Sequence, residues 1–266
     1  MRKPEADAMS WKRIGRGIAA TLLAAGLAGC AAKPLTTGSV SRAPQASTSA
    51  DAGEASALGR AYAKNPKDKN VSLSYASALG AAGRTDQALA VMRRTAIGHP
   101  KDRDVLAAYG KALAGAGQLD QALDAVRRAQ TPEYPDWKLY SAEGAILDQM
   151  GKPQEARTLY RKALDIRPNE PSVLSNLGMS HVLEGDLRAA ETYLRQAAQS
   201  PGADSRVRQN LALVVGLQGR FDEAEQIARG ALSPQEAEAN VAYLRGMLAQ
   251  QNAWKDIKQE DKSAAN

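Results

Sequence analysis

The sequence predicts an all-α fold: a stack of antiparallel helix pairs behind an N-terminal targeting segment. Three observations carry this. Aromatic residues make up only 5% of the 266 residues, with a single Phe, whereas the strands of a sandwich or barrel draw on aromatic and β-branched side chains. Ala, Leu, Arg, Gln and Glu, which are strong helix formers, recur along the whole chain. Small residues also return at a fixed interval of 34. The chain is long enough to bury a sizeable core.

The first segment, 1–29, reads as a signal peptide. Arg2, Lys3, Lys12, Arg13 and Arg16 form a basic head, and Ile18 to Leu27 is an apolar run too short to span a bilayer as a helix. Met1 and Met9 are both possible starts. The run closes on Leu27-Ala28-Gly29-Cys30, and Cys30 is the only cysteine. This stretch resembles the lipobox of bacterial lipoproteins, which implies acylation of Cys30, with an ordinary secretory signal as the alternative. Several acyl chains at about 0.8 kcal/mol per buried methylene make a stable anchor. Ala31 and Ala32, with no Asp beside the cysteine, imply by resemblance to lipoprotein sorting rules an outer-membrane, periplasm-facing location. An acylated Cys30 leaves no thiol for a disulfide, so packing alone holds the fold.

Removing residues 1–29 takes away five basic and two acidic side chains, and the formal charge falls from +6 to about +3. That balance does not argue for nucleic acid. Residues 30–50 hold Cys30 and then a Ser/Thr/Pro/Ala-rich stretch with little to bury, expected to be a flexible tether. As a coil it would reach on the order of 25 Å.

From 51 to 251 the repeat sets the architecture. Ala76, Gly110, Gly144, Gly178, Ala212 and Gly246 are 34 apart. Gly83, Gly117, Gly151, Gly185 and Gly219 repeat likewise, as do Ala88, Ala122, Ala156, Ala190 and Ala224. Small residues at facing positions allow two helices to approach, and a Gly past the first helix takes the left-handed conformation that closes it. Asp86, Asp120, Asp186 and Asp222 are expected to start the second helices. Five full units follow, at 69–102, 103–136, 137–170, 171–204 and 205–238. A half-unit at about 51–65 precedes them and a capping helix at about 234–251 follows. Residues 252–266 read as a polar tail, frayed from Trp254.

The pattern resembles the tetratricopeptide repeat, best in Lys138 to Pro168, where Gly144, Ala156, Tyr160, Ala163 and Pro168 fall on that family's signature positions. It lacks the family's Trp early in the first helix. Pro135 comes one residue late and Pro201 one early. The resemblance implies a right-handed solenoid that binds protein partners on the concave face lined by the first helices.

No phosphate loop, dinucleotide fingerprint or nucleophile elbow is present. Of the two histidines, His181 is expected to pack within a first helix and His99, before Pro100, to be solvated. No Cys/His spacing fits a metal. Neither enzymatic activity nor a cofactor is expected.

By the repeat register, the groove becomes more apolar toward the C-terminus. The early units present Asn70, Leu73, Asp104, Lys138, Ser141 and Asp148. The fourth presents Ser175, Met179, Val182 and Leu183, the fifth Leu213, Gly216 and Leu217, and the end helix Tyr243 and Met247. Met179, Val182, Leu183, Leu213, Leu217, Tyr243 and Met247 are the candidate protein-binding residues, with a partner segment burying apolar side chains there. The alternative is that Val182, Leu183, Leu213 and Leu217 pack under the following helix. Asn176 and Asn210 alone are too few for the terminal-carboxylate grip of chaperone-type repeats.

The lipobox, the repeats and the closing Asn240-Val241-Ala242-Tyr243-Leu244-Arg245 stretch together resemble the TadD family, lipoproteins of tight-adherence (Flp) pilus machinery. That resemblance implies a factor helping the pilus secretin to assemble or localise, with the secretin or another pilus component as partner. Two other readings remain open: a pilotin or β-barrel-assembly lipoprotein of another envelope machine, and an adaptor for cell-wall enzymes.

Overall fold

The computed structural model describes residues 49–264, and the side-chain surroundings of most residues from 53 to 253. The signal segment, Cys30 and nearly all of the tether lie outside the described residues. The described helices alternate in two series. First helices are α2 (Lys69–Ala81), α4 (Arg103–Gly115), α6 (Trp137–Gln149), α8 (Pro171–Leu183) and α10 (Ser205–Leu217). Second helices are α3 (Thr85–Gly98), α5 (Leu119–Ala129), α7 (Pro153–Ile166), α9 (Leu187–Gln199) and α11 (Phe221–Arg229). Each series starts at intervals of 34. Helix α1 (Ser49–Lys64) precedes the five pairs and α12 (Pro234–Ala264) follows.

Each hairpin turn is built alike. Gly83, Gly117, Gly151, Gly185 and Gly219 have φ between 73° and 83°, a region costly for a residue with a Cβ. The amide after each glycine reaches back to the first helix, Gln118 N donating to Leu113 O at 2.9 Å and Lys152 N to Leu147 O at 2.9 Å. This is the Schellman closure, which satisfies carbonyls that the helix end leaves open.

Capping is distributed differently from the sequence expectation. Asp86, Asp120 and Asp222 sit in the first turn of their helices and cap nothing; only Asp186 caps a second helix, accepting from Ala189 N at 3.1 Å. Carboxylate caps belong mainly to the first helices. Asp68, Asp102, Asp136 and Asp204 each accept helix amides, and Asp68 takes both Asn70 N and Val71 N. The fourth position of that column is Glu170, which makes no side-chain cap bond but is followed by Pro171 at N1, a residue with no amide hydrogen to satisfy.

The two helices of a pair touch through the small-residue column. A Cβ on Gly110 would lie 2.6 Å from Val126 Cγ2, one on Gly144 2.7 Å from Tyr160 Cε1, and one on Gly178 2.8 Å from Leu194 Cγ. Glycine stands where the facing residue is large and fixed. Where the facing residue is Ala228 or the pliant Met92, Ala212 and Ala76 are accommodated in the same clusters. Around these contacts run consecutive apolar clusters, from Leu79 and Met92 through Leu113, Val126 and Tyr160 to Leu194, Val214 and Val215.

First helices touch their counterparts in the next unit, whereas among the described helices no second helix touches another. The first helices therefore line the inner side of the stack and the second helices fan out on the convex side. The late Pro135 leaves α5 short, and Arg103 fills the gap, donating to Ala129 O and Tyr134 O at 2.8 Å each. Helix α12 caps the stack with buried Ala237, Val241 and Leu244. The helix expected to end near Gln251 and fray from Trp254 runs on to Ala264, because its Ala, Lys, Gln and Glu content supplies no breaker.

Candidate protein-binding surface

Three inward columns converge on the C-terminal half. One holds Ser175, Gln209 and Tyr243, the next Met179, Leu213 and Met247, the third Leu183, Leu217 and Gln251; within each helix they recur at i, i+4 and i+8, on one face. Their exposure separates them. Leu183 is 60% exposed, Tyr243 71% and Met247 47%. Leu213 and Leu217 are half-buried. Met179 and Val182 are half-buried too, but they pack against the cluster of Leu194, Leu211 and Val215. These two support the core first and a partner second.

Gly216 does not face inward. It is buried, and a Cβ there would meet Leu244 Cδ2 at 2.5 Å, so it is the seat of α12 on α10. Ser141 and Ser175 are also buried, each accepting a bond from the following unit. Asn176 Nδ2 donates to Ser141 Oγ at 3.2 Å and Asn210 Nδ2 to Ser175 Oγ at 3.0 Å. The two asparagines are thus engaged in registering the third, fourth and fifth units. Both pairs stand 35 residues apart, the signal by which sequence could have found them.

A polar joint links α6, α7 and α8. Asp148 accepts Tyr160 Oη at 2.8 Å and Ser180 Oγ at 2.7 Å. Burial pushes its carboxyl above the ordinary range, and the two hydroxyl donors only partly oppose this. Burial also raises the Tyr160 phenol, reinforced by Asp148. Arg157, 9% exposed, pairs with Glu184 at 2.7 Å. His181 stacks on Tyr193 with centroids 5.4 Å apart, and burial followed by the nearby Arg157 pushes its pKa down. It is a packed imidazole, with Nδ1 3.6 Å from the Asp186 carboxylate, which opposes the shift. His99 is half-buried at the C-cap of α3. In this joint Asp148 ties Tyr160 to Ser180 and Arg157 ties to Glu184, while the buried Arg157 Nη1 and His181 Nε2 have no hydrogen-bond partner. Among the described residues no group of three His, Cys, Asp or Glu could hold a metal, and no helix is long and apolar enough to cross a membrane.

Inward columns fed by helix pairs that start every 34 residues define a repeat scaffold with an extended groove. Sequence models of the tetratricopeptide repeat match residues 73–138, 108–171, 149–209 and 206–229, which together cover more than half of the chain. The chain belongs to the tetratricopeptide-repeat proteins. Among solved structures it is similar to TTC0263, a thermophilic tetratricopeptide-repeat protein of Thermus thermophilus, at 22% identity and a TM-score of 0.59, over 66% of this chain and 98% of that one. It is similar to the Cut9–Hcn1 hetero-tetramer of APC/C at 17% identity and a TM-score of 0.58, over 78% of this chain and 41% of that one. It is also similar to pilF of Pseudomonas aeruginosa at 21% identity and a TM-score of 0.50, over 72% and 92%. At these identities the likeness is one of fold. No curated protein matches the sequence, and no catalytic family is indicated among the matches.

Proposed function

We propose that this chain is an outer-membrane-anchored, periplasm-facing scaffold that holds protein partners in the C-terminal half of its groove and assists assembly or localisation of the Flp/Tad pilus secretin. The observation that carries the binding half is the exposure of Leu183, Tyr243 and Met247 on inward columns whose counterparts in the first three units are small or polar, except for Leu73, which packs on the core. A repeat scaffold gains nothing in its own stability from such exposed apolar side chains; a partner that covers them does, at about 25 cal/mol per Å². The anchor and the pilus role are supported by the Leu27-Ala28-Gly29-Cys30 motif and the TadD-like closing stretch. In that stretch Val241 and Leu244 are buried, Arg245 lies 4.8 Å over the Phe221 ring, and Tyr243 stays open.

The test is mass spectrometry of proteins that co-purify with a tagged copy from detergent-solubilised outer membranes. A secretin or other pilus component as the dominant partner is the expected result. Barrel-assembly proteins or wall enzymes in its place would keep the scaffold and remove the pilus role. The anchor is tested separately: Cys30→Ser should shift the protein out of the membrane fraction.

A further inference from the structure

The convex side carries a pattern that partner binding in the groove does not use. Each second helix bears an arginine at one repeat position: Arg93, Arg127, Arg161, Arg195 and Arg229, 34 apart. In the first three units a second cation follows, Arg94, Arg128 and Lys162. Arg195 and Arg229 are tied to carboxylates of Glu191, Glu223 and Glu225, and in α5 Arg127 holds Glu143 at 2.7 Å and Arg128 lies 3.5 Å from Asp124. Among the described residues Arg93, Arg94, Arg161 and Lys162 have no carboxylate within ion-pair reach and all four are exposed, Lys162 with its ammonium 5.9 Å from the Tyr140 ring centroid. Nor do they complement a helix end, since neither α3 nor α7 has a basic residue in its last turn.

A second feature coincides with them. Ile97, 78% exposed, stands four residues after Arg93, and Ile166 stands four after Lys162. These are the same-face spacings of a helix. Between them, at the exit of α5, Tyr134 is exposed as well. The first and third units therefore each present an exposed Ile near the end of the second helix, four residues after a cation, at neighbouring repeat positions, and the α5–α6 connection between them adds exposed Tyr134. A soluble polyanion would use the cations and leave the apolar tips in water. A lipid surface takes both: phosphates meet the guanidinium and ammonium groups while the apolar tips enter the headgroup boundary.

We propose that this convex edge, formed by α3, the α5 exit and α7, docks on an anionic phospholipid surface. Such docking needs the lipid anchor only to bring the chain to a bilayer. Docked so, the second helices face the lipid and the groove opens away from it, toward a partner.

The test uses the full chain with Cys30→Ser, in which Ile97→Cys supplies the sole thiol for a polarity-sensitive fluorophore, mixed with vesicles that carry a lipid-borne quencher. With phosphatidylglycerol in the vesicles the probe should be quenched, and raised salt should reverse this. Vesicles of phosphatidylcholine alone should leave it in water, as should the same label at Leu183→Cys on the groove side. Neutralising Arg93→Gln, Arg94→Gln, Arg161→Gln and Lys162→Gln should weaken the apparent affinity about fivefold per cation, more than about a hundredfold together. These are exposed positions, and an unchanged helical spectrum would show that the fold survives. Equal quenching by both vesicle types, or quenching indifferent to the four substitutions, overturns the proposal. So does a soluble acidic peptide that shields the probe when the vesicles do not, which would assign the edge to a protein partner. Loss of lipidation at Cys30 would overturn the anchor and leave this result standing.

Discussion

Replacing Gly110 by alanine tests the packing rule that closes every hairpin. The added methyl carbon would lie 2.6 Å from Val126 Cγ2, 3.1 Å from the Ala122 carbonyl oxygen and 3.4 Å from Val126 N. Val126 is 1% exposed, its χ1 is stiff, and two of the three neighbours are backbone, so the helices themselves must move apart. Overpacking of this kind costs about 1–3 kcal/mol, and the better helix propensity of Ala returns about 1. The net loss of about 1–2 kcal/mol should lower the melting midpoint by roughly 2–8 °C, followed by circular dichroism. Gly246 occupies the same column, but among the described residues nothing lies within 4 Å of where its Cβ would stand. Gly246→Ala should therefore raise the midpoint, by about 0.5–1 kcal/mol of stability. Adding Val126→Ala to Gly110→Ala recreates the Ala212–Ala228 combination, so the pair should be less destabilised than the sum of its single changes. A Gly110→Ala protein that melts at or above the parent, or strict additivity with Val126→Ala, would refute the reasoning.

Glu191 provides a pH test. Hydrogen bonds from Arg220 first, then Gln218 and Arg195, pull its carboxyl down to about 2. A depressed carboxylate stabilises the fold above its unfolded pKa of 4.5 and loses that contribution as pH falls toward about 2. Glu191→Gln should cost about 1 kcal/mol at neutral pH, reduced by solvent screening of the half-exposed arginines, and the deficit should vanish in urea melts near pH 2. Asp102→Ala removes the acceptor of Asp104 N and Val105 N and the 2.8 Å partner of Lys69, and should cost about 1–2 kcal/mol by denaturant titration. Tyr160→Phe deletes one of the two hydroxyl donors of half-buried Asp148. A loss of about 1–3 kcal/mol is expected, and hydrogen exchange should show it concentrated at the third and fourth units. In the groove, Leu183→Asp with Met247→Asp should abolish capture of the partner while leaving the melting curve in place, since both side chains are already exposed to water and outside the core. Intact capture by that variant would remove the groove assignment.

Much of the scaffold was legible because a period is a local property repeated. Gly83 and its four counterparts announce a left-handed turn wherever they stand, and the Gly110 column announces close approach. The first-helix caps were equally legible, since Asp68, Asp102, Asp136 and Asp204 keep the same spacing. The acidic residues of the second helices are the more conspicuous series, yet a residue two places inside a helix complements its dipole without reaching its amides. The groove was less legible. Met179, Val182, Leu183 and Gly216 share an apolar or small character, yet one is open, two prop the core and one seats the final helix.

The sequence by itself determined the helical class, the unit length, the turn chemistry and the face each first helix turns inward, because these follow from backbone preferences and helical periodicity within one unit. The tertiary structure alone decided the Ser180–Asp148 bond, the burial that raises the Asp148 carboxyl, and which inward apolar residues remain open. Such partnerships join residues more than thirty positions apart through the pitch between neighbouring hairpins, and that pitch emerges only when the units are stacked.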